Sequence, residues 1–392
     1  MTSKKLVSAK QTKNDEFYTQ YYDIENEVRE YFDFDPLQFR NKTVLLPCDD
    51  PDWSNFTKYF AQNFERLGLK KLISTSFAPE SKNYKYPVQL SFLETNSAQF
   101  NKDKTNTHGK IFILERDITG DGRINYDDLE WDYLEGDGDF RSDEVRKLRD
   151  EADIIITNPP FSLFRDFFSW LIESNKKFLI IANKNCITFK EVFPYIKDNK
   201  VWSGHRLWAG GMWFETMNPD DVDEVVDGVN MKNIPSIWLT NMEHDRHHSP
   251  LKLMTQERNF RYSKHKEIRG RTKYEHYDNY DAIEIPFTDA IPSDYEGAMG
   301  VPISFLDKYC PEQFEILGLT QFGCHDGLPD IRRYNEYKEV RTSDDKETGA
   351  SGAKTNENAV LEGKGTKKTY YRNAEGRMVH SEYKRILIRK RK

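Results

Sequence analysis

The sequence lacks the features that mark membrane, disulfide-rich and zinc-binding proteins. No window approaches the run of roughly 18 apolar residues that a membrane span requires, and the first residues include no apolar signal segment. The four cysteines are far apart and form no Cys-x-x-Cys pair, which excludes the usual disulfide and zinc patterns. We therefore expect a cytoplasmic protein that holds no metal ion.

The chain also lacks an overall positive charge. Its formal net charge is −7, and that balance alone disfavours nucleic acid as a partner. The charge distribution reverses this conclusion, because residues 246–276 contain nine Lys and Arg against three Glu, and residues 364–392 contain eleven against two. Such regions are typical of polyanion binding, although a solvated charged face followed by a disordered basic tail remains the alternative.

Hydrophobic periodicity predicts an α/β protein. A strand over residues 43–46, a helix capped by Ser54 and a strand over residues 72–77 form the first unit of a doubly wound, mostly parallel sheet. From residue 243 the periodicity weakens and the charge becomes positive, which predicts a domain boundary. The predicted divisions are a mobile arm (1–14), an α/β domain (15–242, with an insertion and hairpin at 80–135), a smaller recognition region (243–330) and a basic, partly disordered tail (331–392).

The most informative segment begins with the apolar run Ile154–Thr157, which predicts a buried parallel strand. Pro159 and Pro160 end this strand, because each removes a ladder donor and fixes φ. The loop then lies at the carboxyl end of a central strand, where open α/β sheets bind ligands. Asn158 supplies an amide oxygen, Pro159 a carbonyl and Phe161 an aromatic face. Two acceptors beside a ring suit a planar molecule with an exocyclic amino group, which predicts methylation of an amino group.

Residues 117–128 resemble a calcium-binding loop, with acidic or polar side chains at alternate positions and a glycine in the sixth place. Asp128 occupies the last position, where such loops carry a bidentate Glu, and the preceding Ile111–Leu114 run is β-like rather than helical. We interpret the segment as a hairpin around Gly120–Gly122, with its second strand at Arg123–Tyr126. A calcium site remains the alternative.

The order of several motifs resembles that of the EcoRI-type adenine-specific DNA methyltransferases, over roughly residues 13–320. The motifs are, in chain order, Asp15-Glu16-Phe17-Tyr18-Thr19, Cys48-Asp49-Asp50-Pro51, Gly136–Ser142 and Asn158-Pro159-Pro160-Phe161-Ser162. The resemblance implies a class I methyltransferase fold of the Rossmann-like type, with S-adenosylmethionine as the cofactor and a smaller C-terminal DNA-recognition region. The C-terminal segment beyond the motifs matches poorly.

The same resemblance implies roles for individual residues. Asn158, Pro159, Pro160 and Phe161 would form the catalytic loop, in which two oxygens accept the amino hydrogens and Phe161 stacks on a base flipped from the duplex. Contacts to the cofactor are implied for the residues Phe17, Tyr18, Thr19, Cys48, Asp49, Asp50, Asp139, Phe140 and Asn158. Among these, a carboxylate after the first strand suits the cofactor's ammonium group. Asp139 and the ring of Phe140 suit its adenine.

Two departures from the usual cofactor pocket accompany the resemblance. Cys48-Asp49-Asp50-Pro51 stands where most methyltransferases have a glycine-rich turn. The second strand ends at Ser74–Phe77 without the acidic residue that usually holds the ribose hydroxyls, so the ribose contact is unassigned. We expect a monomer that acts on double-stranded DNA, and a cognate restriction endonuclease would share the site without binding this protein. A protein glutamine methyltransferase and a catalytically inactive DNA-binding protein on the same fold are the alternatives.

Overall fold

The computed structural model describes residues 17–50, 54–78, 99–216, 218–320, 332, 336–351 and 358–391. The predicted arm, the first part of the predicted insertion, and Asp15, Glu16 and Pro51 of the motifs lie outside these residues. The chain divides into two compact units, one of Met1–Cys186 with Trp202–Asp245 and one of Ile187–Val201 with Arg246–Lys392. Within the described ranges, no helix has the length and apolar character needed to cross a membrane.

The first unit alternates strands with helices. Its helices are α1 (Tyr21–Phe34), α2 (Asn55–Gln62), α3 (Phe64–Leu67), α4 (Asp143–Glu151) and α5 (Phe164–Glu173). Its strands are β1 (Tyr18–Thr19), β2 (Thr43–Leu46), β3 (Lys71–Ser76), β4 (Lys110–Leu114), β5 (Glu130–Tyr133), β6 (Ile154–Thr157), β7 (Lys177–Asn183), β8 (Trp202–Ser203), β9 (Met212–Glu215), β10 (Glu224–Val226), β11 (Val229–Ile234) and β12 (Ser236–Thr240). The unit is therefore a mixed α/β structure, as the periodicity predicts.

Eight of these strands form one sheet in the order β5-β4-β3-β2-β6-β7-β12-β8. The central strands β3, β2, β6 and β7 are parallel, whereas the two strands at each edge are antiparallel to their neighbours. The parallel part of the predicted sheet is thus confined to these four central strands. Antiparallel strands extend the sheet at both edges, because they need no helical crossover. The sequence also predicts that residues 201–204 and 234–241 close the sheet as an antiparallel pair, and the pairing of β8 with β12 confirms this prediction.

The central strands are buried on both faces. In β2, Val44 and Leu46 pack into a large apolar cluster that also contains residues of α1 and α2. Leu45 points to the opposite face, since side chains alternate along a strand, and it is equally buried. The same holds for Ile154–Ile156 in β6. Uninterrupted apolar runs in the sequence are the direct consequence of this two-sided burial.

Capping residues set the bounds of α2 and α3. Ser54 Oγ accepts a hydrogen bond from Phe56 N at 3.1 Å, which satisfies an amide that the first turn leaves unpaired. Gly68 ends α3 with a φ of 65°, a left-handed conformation that glycine adopts without steric cost. The sequence predicts a cap at Ser54 and a helix stop at Gly68, and both predictions are confirmed. Ser54 also lies next to the loop that follows β2.

The predicted hairpin exists, but its second strand lies elsewhere. β4 pairs with β5, and not with residues 123–126. The Asn125 side chain accepts a hydrogen bond from Asp127 N at 2.8 Å, and Asp128 accepts one from Asn125 N at 3.0 Å. Side chains that bond to nearby amides in this way favour a turn over a strand. The strand predicted at Arg123–Tyr126 is therefore wrong.

The second unit contains two short helices, α6 (Phe193–Lys197) and α7 (Gln256–Tyr262). Its strands are β13 (Ile283–Glu284), β14 (Met299–Pro302), β15 (Phe314–Leu319), β16 (Tyr337–Arg341), β17 (Glu347–Ser351), β18 (Val360–Glu362), β19 (Thr369–Asn373), β20 (Met378–Ser381) and β21 (Arg385–Lys390). They form two sheets, in the orders β13-β14-β21-β15 and β17-β16-β19-β20-β18.

These strands replace much of the predicted basic, partly disordered tail. β21 lies between β14 and β15, and its residues Ile386, Leu387 and Ile388 are completely buried. The sequence predicts one short strand in this region, at residues 383–388, and it does not predict β16 to β20. These strands are hard to predict because their apolar runs are short and are interrupted by Lys and Arg. The whole segment therefore has the composition of a solvated tail.

Candidate active site

The strand order reverses between β2 and β6. From β2 the chain continues through β3 to one edge of the sheet, and it returns to place β6 and β7 on the other side of β2. In open α/β sheets, the carboxyl ends of strands at such a reversal form a crevice that binds ligands. Asp49 follows β2 and Asn158 follows β6. The topology and the sequence motifs therefore indicate the same place.

The Asn158 amide is held at its nitrogen. Nδ2 donates a hydrogen bond to the Phe17 carbonyl oxygen at 2.7 Å. Because only the nitrogen can donate, this bond determines which end of the amide is the oxygen. Oδ1 is buried and has no hydrogen-bond partner among the described residues. An unpartnered buried acceptor costs stability, so this oxygen is suited to a donor supplied by a ligand.

The ring of Phe161 belongs to a cluster of three aromatic rings. Its centroid lies 6.1 Å from that of Phe17, with the planes 30° apart, and 6.4 Å from that of Phe214, edge to face. The Phe17 and Phe214 centroids are 6.0 Å apart. Pro159 is buried, while Pro160 and Phe161 are partly exposed. The loop is thus stiffened by its own prolines and by two neighbouring rings.

A small second sheet positions the N-terminal motif. β1 pairs with β9, which places Thr19 opposite Phe214, and the Thr19 carbonyl accepts a hydrogen bond from Asn55 Nδ2 at 2.8 Å. Tyr18 is partly exposed. Thr19 is 4% exposed, and its Oγ1 has no hydrogen-bond partner within the described ranges. The N-terminal motif and the Asn-Pro-Pro-Phe loop therefore each contain a buried oxygen without a partner, on Thr19 and on Asn158 respectively.

Asp49 is the centre of a buried network of hydroxyl groups. Its Oδ1 accepts from Ser54 Oγ at 2.6 Å, and its Oδ2 accepts from Thr157 Oγ1 at 2.7 Å. The Asp49 carbonyl accepts from Thr57 Oγ1 at 3.2 Å and from Ser74 Oγ. The network joins the tip of β2 to α2 and to the ends of β3 and β6. Asp49 thus organises the site from within.

The protonation of Asp49 reflects this environment. Burial raises the pKa of Asp49 to about 6, while the hydrogen bonds from Ser54 and Thr157 act in the opposite direction. A desolvated carboxylate with neutral donors therefore titrates near neutrality. Cys48 and Asp50, on either side, are partly exposed, which makes Asp50 the more accessible carboxylate of the motif.

The loop Gly136–Ser142 approaches the carboxyl end of β3. Gly138 has a φ of 81°, and a Cβ at this position would collide with the Ser76 carbonyl oxygen. Only glycine permits this approach. The next residue, Asp139, binds Arg141 with an Nη2–Oδ2 distance of 2.6 Å, and 21% of its side chain remains exposed. The loop therefore delivers a carboxylate to the same edge of the sheet.

Phe140 packs against the helix α5. Its ring is 5% exposed and packs edge to face on Phe167 and Trp170, with centroid distances of 5.2 and 5.7 Å. Both neighbours are themselves buried in α5. This packing anchors the loop to α5, and the contact of Phe140 with the cofactor's adenine stays a prediction.

The loop at residues 117–128 satisfies its own acidic groups. Asp117 accepts from Gly120 N at 2.6 Å and from Gly122 N at 2.8 Å. Asp128 accepts from three backbone amides, those of Ile118, Thr119 and Asn125. These backbone bonds lower the pKa of Asp128. These hydrogen bonds within the loop are those of a turn.

The basic segment at residues 246–276 lies in the second unit. Three of its cations form ion pairs, Arg246 with Asp307, Lys264 with Asp289 and Arg271 with Glu275. Six others are exposed and make no ion pair with a described residue, namely Lys252, Arg258, Arg261, Lys266, Arg269 and Lys273. Of the aromatic residues that the sequence places among these cations, Phe260 is partly buried, Tyr274 is buried and Tyr262 is 59% exposed.

Three contributors to the site are not evident from the sequence. Phe214 lies in β9, far along the chain from both of the rings that it contacts. Ser74 and Thr157 contribute hydroxyls at the ends of β3 and β6. One signal was present, because hydroxyl residues at the ends of otherwise apolar buried strands require partners.

A free acceptor on an Asn-Pro-Pro-Phe loop, placed where the strand order reverses, is characteristic of a methyltransferase that acts on an amino group. The chain belongs to the family described as adenine-specific methyltransferase EcoRI, whose family model matches residues 5–391. That match extends beyond the range of roughly 13–320 over which the motifs resemble the family, and it includes the strands of the C-terminal region.

Curated relatives agree with this assignment. The chain is 41% identical over 322 residues to the type II methyltransferase M.EcoRI of Escherichia coli, across 81% of this chain and 89% of that protein. It is 33% identical over 316 residues to the type II methyltransferase M.MpnI of Mycoplasma pneumoniae, across 79% and 83%. No solved structure matches the chain significantly. The glutamine methyltransferase and inactive-protein alternatives are not favoured.

Proposed function

We propose that the protein uses S-adenosylmethionine to methylate the N6 amino group of an adenine that is flipped out of a specific site in double-stranded DNA, as in restriction-modification. The observation that carries this proposal is the buried Asn158 Oδ1, an acceptor without a partner among the described residues, at the reversal of strand order. Membership of an adenine-specific family supports the choice of base. The type II methyltransferases among its relatives support the restriction-modification context.

The chain's own groups orient the amino nitrogen. When bound, the cofactor supplies a methyl carbon that is activated by its sulfonium. Asn158 Oδ1 and the Pro159 carbonyl accept the two amino hydrogens, which turns the nitrogen lone pair away from the ring and toward that carbon. Phe161 packs on the flipped base. Positioning supplies most of the acceleration, and the two acceptors stabilise the positive charge that develops on nitrogen.

Cofactor contacts are assigned to the edge formed by β2, β3 and β6. In this proposal the buried Thr19 hydroxyl, which has no partner among the described residues, faces the methionine part of the cofactor, as do Phe17 and Tyr18. Asp50, next to Cys48, is the carboxylate for the ammonium group, because the oxygens of Asp49 are already bound by hydroxyls. Asp139 accepts from the amino group of the cofactor's adenine. The central parallel strands support a doubly wound, class I arrangement for this unit.

DNA recognition is assigned to residues 243–330, with the basic residues of 331–392 as additional phosphate contacts. The exposed cations of the 246–276 segment support this, because phosphate contacts provide most sequence-independent affinity and base contacts provide specificity. We propose that a monomer acts in the cytoplasm, and that a cognate endonuclease shares the recognised site without binding the protein.

The Asn158→Ala variant tests the function directly. It removes one acceptor and should reduce methyl transfer into DNA by a factor of about 10² or more, comparable to the loss of one oxyanion-hole donor, while cofactor binding persists. Labelled methyl incorporation and calorimetry measure the two properties. Asn26→Ala on the surface of α1 is the matched control and should retain full activity. Undiminished methylation by Asn158→Ala would contradict the mechanism.

A further inference from the structure

The Phe17 segment makes two separate contacts with the catalytic loop. Its carbonyl oxygen accepts from Asn158 Nδ2 at 2.7 Å, and its ring stacks on Phe161. We propose that Phe17 is a positioning residue for methyl transfer, an inference that rests on the proposed function. Its carbonyl turns the Asn158 oxygen toward the substrate, and its ring keeps Phe161 in place. Neither contact requires Phe17 to touch the reacting atoms.

The carbonyl can act in this way because its own position is fixed from two sides. β1 begins at the next residue and pairs with β9 through Tyr18 and Thr19. The Thr19 carbonyl is bound by Asn55 at the first turn of α2. A short strand tied to a sheet and to a helix gives the Phe17 carbonyl a defined direction. Without that acceptor, the Asn158 amide could rotate by half a turn and present its NH₂ group to the substrate.

The arrangement also explains why an amide rather than a carboxylate stands at position 158. An amide donates from one end and accepts at the other, so it can satisfy the Phe17 carbonyl and the substrate amino group at once. A carboxylate has no donor. Its negative charge would lie beside the Phe17 carbonyl oxygen, and the geometry of the acceptor would be lost.

The rings provide the second part of the inference. Phe214 is completely buried and contacts both Phe17 and Phe161, so the three rings form one packed unit. Removing the Phe17 ring leaves Phe161 with one neighbour in this unit. We therefore expect Phe161 to sample orientations that do not support stacking on the base.

Two variants test the proposal in the full-length protein. In Asn158→Asp, a protonated carboxyl can donate to the Phe17 carbonyl and still accept, whereas an ionised one cannot. The ratio of its methylation rate to that of the wild type should therefore fall about tenfold for each pH unit above the carboxyl pKa. Titration of Asp49 affects both proteins and is removed by the ratio. The proposal would be overturned if Asn158→Asp were as active as the wild type and the ratio of the two rates did not change with pH.

The second variant, Phe17→Ala, separates positioning from cofactor binding. At saturating S-adenosylmethionine, we expect kcat to fall about tenfold, with DNA affinity unchanged. A change in KM for the cofactor alone, with kcat preserved, would overturn the proposal, and this variant decides the matter if Asn158→Asp is inactive at every pH. Tyr22→Ala, which removes an aromatic side chain that is 70% exposed, is the control. Absence of DNA methylation by the wild type would instead refute the proposed function.

Discussion

Each unit contains a buried carboxylate, and the hydrogen-bond donors to the two carboxylates differ in charge. In the first unit Asp49 is 5% exposed and receives hydrogen bonds from neutral hydroxyl groups. In the second unit Glu284 is also 5% exposed, but it is bound by the Arg385 guanidinium, with an Nη2–Oε1 distance of 2.7 Å and an Nε–Oε2 distance of 3.1 Å. The Tyr277 hydroxyl donates to the same carboxylate.

The difference corresponds to the proposed roles of the units. Arg385 stays charged at every pH at which proteins fold, so its pair with Glu284 is a fixed structural element. Burial, and then the Glu284 charge, hold the pKa of Tyr277 well above its ordinary value. Asp49 has no such cation, and its pKa near 6 allows a change of charge close to neutrality. The reacting unit therefore carries a titratable centre where the other unit carries a permanent ion pair.

The largest effect is expected from breaking the ion pair. Arg385→Met leaves the Glu284 charge buried without its counterion and should lower the free energy of unfolding by about 3–5 kcal/mol. Denaturant unfolding followed by circular dichroism measures the loss. Arg389→Met, in the same strand, removes an exposed cation that makes no ion pair with a described residue, and it should change stability little. Equal losses in the two variants would contradict the comparison.

Titration of Asp49 should be visible in the pH dependence of stability. Its pKa is raised from 3.8 to about 6, so the folded protein holds a proton that the unfolded chain releases between these values. Stability therefore decreases as pH rises through this window and levels off above it, by about 3 kcal/mol at 1.36 kcal/mol per pKa unit. Asp49→Asn should abolish this component relative to the wild type. Asp127→Asn, at an exposed position, should retain this pH-dependent component. If the curves of stability against pH were parallel for Asp49→Asn and the wild type, the prediction would be refuted.

Thr157→Val removes one hydroxyl from the Asp49 network and keeps the side-chain shape. One Asp49 oxygen then lies buried without a donor, which should cost about 1–3 kcal/mol. Because Thr157 precedes Asn158, methylation should also decrease. Thr157→Ser restores the donor and should recover both properties. If the valine and serine variants are equally stable and equally active, the network does not support the catalytic loop.

The smallest effect is expected at the exposed cations of the second unit. Lys266→Gln and Arg269→Gln should each weaken DNA binding similarly for all sequences and reduce the salt dependence of log K by about 1 per lost phosphate contact. Fluorescence anisotropy at several salt concentrations measures the slope. Lys70→Gln, an exposed cation of the first unit, is the control and should leave the slope unchanged.

Sequence reasoning works best where one local rule dominates. The Ile154–Thr157 strand was predictable because its apolar run has no other stable location than a buried sheet, and the two prolines can only end it. Ser54 was predictable as a cap because its hydroxyl needs only the next turn of the same helix. The placement of Asp49 and Asn158 after the ends of neighbouring parallel strands followed from the general rule for strand ends.

Long-range partners were not predictable. Nothing near Asp49 indicates that Thr157 will supply its second hydroxyl, since the two residues are joined only by sheet topology. Phe214 is hidden for the same reason. The second strand of the hairpin was misplaced because Asn125 bonds to its own neighbours, and β21 was underestimated because charged residues flank its short apolar core.

The antiparallel strands at the sheet edges have a consequence for the solution behaviour of the protein. An open strand edge is a template for pairing with another chain, and proteins prevent this with short or charged border strands. β8 consists of only two residues, and β5 carries the exposed charges of Glu130 and Asp132. Both borders of this sheet therefore oppose edge-to-edge aggregation, one by its shortness and the other by its negative charge.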